Sequence, residues 1–168
     1  MANDYFKFRQ FTIHQGRCAM KVGTDGTLLG AWANAPLGTT RILDIGTGTG
    51  LIALMMAQRF PQAEVVGVDI DTDAVGQASE NVEQSPFKDR IRILQMDITE
   101  MTGVLFDTIV SNPPFFVDAL ICPDDQRTLA RHTVNLTYDE LMQTAYRLMT
   151  LDGCFSVIIP IKVLSKIV

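Results

Sequence analysis

The chain has 168 residues, 47% of them apolar and 20% charged, with a formal net charge of −5. That composition excludes disorder and a coiled coil, and the length fits about one domain with a sizeable core. The acidic balance argues against bulk non-specific nucleic-acid binding, no apolar run reaches the roughly 20 residues that span a bilayer, and the N-terminus lacks the apolar stretch of a secretory signal.

Between Tyr5 and His14, apolar and polar residues alternate on both sides of a short break, which predicts a small hairpin. Thr24-Asp25 is an N-cap pair ahead of an apolar stretch from Thr27 to Ala33, and Ala35-Pro36-Leu37-Gly38 ends that helix. Strand and helix then alternate. Strands are expected at Arg41–Ile45, Glu64–Asp69, Ile91–Gln95, Phe106–Ser111 and Gly153–Pro160. Helices are expected at Leu51–Phe60 and Thr72–Gln84, and from the capping box Thr137/Glu140 to about Met149. The pattern predicts an α/β fold: a Rossmann-like, doubly wound, mostly parallel sheet covered on both faces. Residues 1–40 form a hairpin-and-helix extension packed on a larger domain over 41–168. Cys18, Cys122 and Cys154 are odd in number and far apart, so neither a disulfide framework nor a metal site is expected, and a cytoplasmic location is.

The most informative segment is Asp44-Ile45-Gly46-Thr47-Gly48-Thr49-Gly50-Leu51, an apolar strand running into glycines that open a helix. Glycines there allow a tight turn and close approach of a ligand to the main chain, and the following helix presents free N–H groups. Asp69 ends the next strand, where a carboxylate accepts from both ribose hydroxyls of a nucleotide-like ligand. The spacing is G-x-G-x-G, not the G-x-G-x-x-G of dinucleotide sites, which argues against an oxidoreductase. Asp44, two residues before the first glycine, suits a ligand with an ammonium group better than a pyrophosphate. The turn resembles the first motif of class I S-adenosylmethionine-dependent methyltransferases, and Asp69 matches their ribose-binding acid. That resemblance places Asp97 and Ile98, after the third strand, around the adenine; Asp97 also reads as a helix N-cap.

The fourth strand ends in Asn112-Pro113-Pro114-Phe115. Pro113 has no N–H and forces an extended conformation on Asn112, leaving the Asn112 side-chain oxygen and the Pro113 carbonyl as two acceptors for one –NH2 group. Phe115 offers a face for stacking. The tetrad resembles the N-P-P-[FY] signature of methyltransferases acting on adenine N6, guanine N2 or glutamine amide nitrogen.

Phe11 to Gly26 (FTIHQGRCAMKVGTDG), Leu28-Leu29-Gly30-Ala31-Trp32-Ala33, Glu80-Asn81-Val82 and Gln84-Ser85-Pro86 narrow the match. With the glycine turn and the tetrad they resemble bacterial tRNA(Val) adenine-37 N6-methyltransferases over nearly the whole chain. The resemblance implies a tRNA substrate, S-adenosylmethionine as cofactor and a catalytic domain over 41–168. It also implies a cofactor-covering segment containing Lys21, Thr24 and Asp25, although Lys21 also reads as a surface charge and Thr24 as a cap. His14 reads as a hairpin surface residue and Trp32 as helix core. The family usually has tyrosine where Phe115 stands, so the ring is kept and the hydroxyl lost. The family also continues past the fifth strand into further elements, so the chain looks like an N-terminal portion. RNA phosphates need local cations, and Lys7, Arg9 and Arg17 with Arg127 and Arg131 are the candidates. The alternatives are a glutamine-amide or guanine-N2 methyltransferase, and a non-catalytic cofactor- or RNA-binding module.

Overall fold

The computed structural model describes residues 4–114 and 136–161. β1 (Tyr5–Lys7) and β2 (Thr12–His14) pair antiparallel with Phe6 opposite Ile13, as the alternation predicts. Then follow α1 (Thr24–Trp32), β3 (Arg41–Ile45), α2 (Leu51–Arg59), β4 (Glu64–Asp69) and α3 (Thr72–Glu83). After them come β5 (Ile91–Gln95), β6 (Phe106–Ser111), α4 (Tyr138–Leu148) and β7 (Met149–Val157). Among the described residues these last five strands, β3 to β7, form one parallel sheet in the order β5-β4-β3-β6-β7. Successive strands leave β3 first towards β4 and then towards β6. The sheet is therefore doubly wound, with its switch point at the C-terminal end of β3.

Alternation along β3 assigns its two faces. Ile42 joins a core with Leu54, Ala57, Val65 and Val110, and Phe11, Ile13 and Leu29 from the hairpin and α1 share it. Leu43 and Ile45 face the other way, into a core with Val68, Ile109, Leu141 and Leu148. Asp44 has the parity of Ile42 and therefore faces α2.

Arginines serve the orphan carbonyls at the ends of helical segments. Arg59 donates to Gly30 O and Ala33 O at the end of α1, at 3.0 and 2.9 Å. Arg90 donates to Ala57 O in the last turn of α2 at 2.7 Å, and beyond that helix to Phe60 O at 3.2 Å and Ala63 O at 2.7 Å. Arg147 donates to Thr99 O and Met101 O around the short helical turn Ile98–Glu100.

Three expectations are corrected. Thr24 is not the N-cap of α1: Gly23 holds that position without a side-chain bond, and Thr24 is the first helical residue. Trp32 is not core but 82% exposed, because Leu29 and Ala33 supply the buried face of α1. The last strand starts at Met149, not Gly153, because α4 runs directly into it; an irregularity opposite Phe106–Thr108 separates that start from the regular pairing that begins at Cys154. No helix among the described residues is long and apolar enough to cross a membrane.

Candidate cofactor and substrate site

Every second residue of the turn after β3 lies in the left-handed region: Gly46 at φ 71°, Gly48 at 54° and Gly50 at 81°. An L side chain there costs roughly 1–2 kcal/mol. The turn is tied to β4, since Gly46 N and Thr47 N both donate to Val68 O, at 2.8 and 3.0 Å. Gly48 N donates to Asp69 Oδ2 at 2.9 Å, and Asp71 N to Asp69 Oδ1 at 3.0 Å. A methyl group on Gly46 or Gly48 would meet no atom within 4 Å, so the turn opens onto free space.

Asp44 lies beneath this turn, completely buried. Its Oδ2 accepts from Thr47 Oγ1 at 2.7 Å and Ala53 N at 3.1 Å, while Oδ1 has no partner. Burial pushes its carboxyl up to about 7, against the lowering effect of those two bonds. One oxygen thus fixes the turn to α2, and the other is an unmatched acceptor.

Ile45 and Ser111 are paired across β3 and β6, so Gly46 and Asn112 leave the sheet side by side. Asn112 Oδ1 is buried without a partner. The first turn of α1 closes against it: a methyl on Gly26 would lie 3.6 Å from Asn112 Nδ2 and 3.5 Å from Leu51 Cδ2. Pro113 is half-buried and Pro114 exposed. Lys21 is exposed on the approach to α1, and Thr24 and Asp25 are exposed in its first turn. Cys18, earlier in the same segment, is buried; desolvation, then the charges of Asp69 and Asp71, push its thiol up to about 11.

Asp97 caps the turn Ile98–Glu100, accepting from Thr99 N at 2.9 Å and Thr99 Oγ1 at 2.7 Å. Ile98 is buried in the core with Val68 and Met101. Both stand past the C-terminal end of β5, with one Asp97 oxygen engaged in the cap and Met96 half-buried beside them.

Three of the expected cations lie among the described residues. Arg17 pairs with Glu80 of α3. Lys7 and Arg9 are exposed on the hairpin. Its Phe8 and Phe11 rings stack at 4.8 Å, and Phe11 meets Phe87 edge-on beyond the end of α3, away from the glycine turn. Phe115, Arg127 and Arg131 lie outside the described residues.

Asn81 belongs to the Glu80-Asn81-Val82 segment that carries the resemblance but had no expected role, and Gln77 was not a candidate. Both stand on the buried stripe of α3, with Ala74, Ala78 and Val82. Two amides at apolar positions of a 3.6-residue period were the available signal. Gln77 Oε1 accepts from Arg17 N at 3.3 Å. Asn81 accepts from His14 N at 2.9 Å and donates to His14 O and Thr49 O, both at 2.8 Å. His14 itself is exposed, as expected of a hairpin surface residue.

The methyltransferase small domain model matches residues 26–159. A tRNA1(Val) (adenine(37)-N6)-methyltransferase of Bacteroides thetaiotaomicron is 53% identical over 169 residues, covering 99% of this chain and 71% of the relative. One from Phocaeicola vulgatus is 58% identical over 161 residues, covering 95% of this chain and 68% of the relative. The chain belongs to the tRNA1(Val) (adenine(37)-N6)-methyltransferase family. Among solved structures, TrmN from Thermus thermophilus superposes with a TM-score of 0.63 at 28% identity, over 84% of this chain and 39% of that one. An O-methyltransferase of Brevibacillus brevis, solved with S-adenosyl-L-homocysteine, shares the fold with a TM-score of 0.57 at 18% identity, over 80% of this chain and 39% of that one. This family membership agrees with the resemblance carried by the N-terminal segment and the tetrad.

Proposed function

We propose that the chain transfers a methyl group from S-adenosylmethionine to N6 of an adenine in tRNA, at position 37 of tRNA(Val). The observation that carries the reading is the buried, unpartnered Asn112 Oδ1, which leaves the sheet beside Gly46. A buried acceptor without a donor costs roughly 1–3 kcal/mol. A substrate –NH2 supplies that donor.

The donor and acceptor set fits the cofactor. Open space in front of Gly46 and Gly48 admits a ligand against the main chain. Each Asp69 oxygen accepts one backbone amide and keeps lone pairs for ribose hydroxyls. The unmatched Asp44 Oδ1 suits an ammonium group. Lys21, Thr24, Asp97 and Ile98 complete the proposed binding set, with Met96 beside the last two. Bound here, S-adenosylmethionine supplies a methyl group on a sulfonium, an electrophile that needs no further activation.

The protein's own part is positioning and electrostatics. Asn112 Oδ1 and the Pro113 carbonyl accept the two hydrogens of the amine and direct its lone pair towards the glycine turn; after transfer the nitrogen releases one of those protons to water. Pro113 and Pro114 keep that acceptor pair rigid. Phe115 stacks the base, which is splayed out of a single-stranded loop at low cost. Lys7, Arg9, Arg17, Arg127 and Arg131 are the proposed phosphate contacts, and replacing Arg127 and Arg131 by alanine is expected to weaken tRNA binding while sparing cofactor affinity. A tRNA substrate implies a cytoplasmic location.

The test is to incubate the full chain with S-adenosylmethionine and tRNA lacking the modification, then analyse nucleosides by mass spectrometry. New N6-methyladenosine, mapped beside the anticodon, is the expected result. No methylated nucleoside, with cofactor binding intact, would move the substrate to a protein amide or a ribosomal guanine.

A further inference from the structure

We infer that Asn81 is a positioning residue that sets cofactor affinity by locking the N-terminal segment onto the glycine turn. The inference rests on the cofactor reading above. Asn81 is 1% exposed, and its amide makes its bonds outside α3, to the backbone of two distant segments. At His14 it accepts one bond and donates another, the pairing of one more strand residue. Its second N–H goes to the carbonyl of Thr49, between the left-handed Gly48 and Gly50. The Ala53 amide, four residues past Thr49, is held by Asp44 Oδ2, so Asn81 serves the Thr49 carbonyl from the neighbouring helix.

Two sections of the proposed site therefore meet at one side chain. One is the turn whose backbone approaches the cofactor. The other is the stretch that leaves His14, is held to α3 at Arg17 and ends with Gly26 against Asn112. Gln77 adds a bond to Arg17 N, and Gln15 Oε1 accepts from Val22 N at 2.8 Å, so the stretch is folded back on itself. Without Asn81, nothing equivalent joins His14 to Thr49 among the described residues, and cofactor binding must order both. That ordering weakens the cofactor complex; Asn81 makes no bond to Asn112, so once cofactor has ordered the stretch the saturated complex keeps its turnover.

The experiment compares Asn81→Ala with Ser85→Ala. Ser85 is a buried residue just past the end of α3, bonded to Val82 O and Phe87 N, so its loss loosens that helix away from the turn. For each variant, the Kd of S-adenosyl-L-homocysteine is measured by calorimetry, hydrogen exchange is followed over residues 14–24 and 46–50, and kcat and KM are determined with tRNA. Asn81→Ala is expected to raise the Kd and the cofactor KM about tenfold or more, speed exchange in both segments, and hold kcat within about threefold at saturation. Ser85→Ala is expected to leave the Kd within about twofold. An Asn81→Ala Kd near the wild-type value, an equal rise in Ser85→Ala, or a fall in kcat with KM unchanged would each overturn the inference. Should Asn81→Ala fail to fold, Asn81→Ser carries the same comparison. A wild-type chain that binds no S-adenosyl-L-homocysteine would overturn the cofactor reading itself, and the inference with it.

Discussion

The Asp69 carboxylate accepts the Gly48 amide at 2.9 Å, so the acid that ends β4 holds open the turn that ends β3. Asp69→Asn keeps an acceptor for Gly48 and loses the charge. Charge-assisted bonds contribute about 1.5–3 kcal/mol, so affinity for S-adenosyl-L-homocysteine is expected to fall roughly 10- to 100-fold with the fold intact. Calorimetry and thermal melting together check this. Unchanged affinity would remove Asp69 from the site.

Two glycines of the turn separate strain from occupancy. In Gly50→Ala the left-handed strain adds to a methyl only 3.3 Å from Ala78 Cβ, so the melting temperature drops. Gly48→Ala carries the strain alone, about 1–2 kcal/mol, and its methyl enters open space. Gly48→Ala is therefore expected to stay the more stable of the two and still lose cofactor binding. Melting curves with and without S-adenosyl-L-homocysteine decide the order.

Legibility in the sequence followed how local the signal was. The boundaries of β3, β4, β5 and β6 and the capping box of α4 match the expectation, because apolar runs bounded by turn residues and a Thr-to-Glu spacing are contiguous features. The glycine turn was legible for the same reason. Trp32 was misassigned because composition does not say which side of a short helix faces the sheet. Thr24 was misassigned because capping depends on backbone angles that Gly23 adopts instead. The bonds of Asn81 and Gln77 reach partners 32 or more residues away, which no local spacing encodes. The closure of Gly26 on Asn112 is equally remote in sequence.

Asp44 gives the protein a dependence on pH. Its carboxyl is raised from the ordinary 3.8 to about 7, first by desolvation. Between those values the native state keeps a proton that the unfolded chain has lost, so stability falls as pH rises through that window and levels off above it. Asp44→Asn stays neutral and can still accept from Thr47 and Ala53. Urea unfolding between pH 5 and 8 is expected to show the wild type losing roughly 2–3 kcal/mol relative to Asp44→Asn. Parallel curves would mean that Asp44 is ionised throughout.

Asn112→Ala removes the buried, unmatched oxygen. Turnover is expected to fall about 10²- to 10³-fold, as for loss of one preorganised polar group at a reacting centre. Cofactor affinity should stay within a few-fold, and the melting temperature should hold or rise, because the group is unpaired in the free protein. A variant that turns over normally would sink the proposed role of the tetrad.

Arg59 and Arg90 sit at the end of α2 away from the glycine turn, and Arg147 is bound to carbonyls beside α4. Cations fixed in this way hold the scaffold together and are poorly placed to displace counterions from a nucleic acid. The capacity of the chain to meet a polyanion is thus smaller than its 14 lysines and arginines suggest. Under the proposed function, phosphate contacts fall to cations outside this scaffold set, and the salt dependence of tRNA binding should count only those.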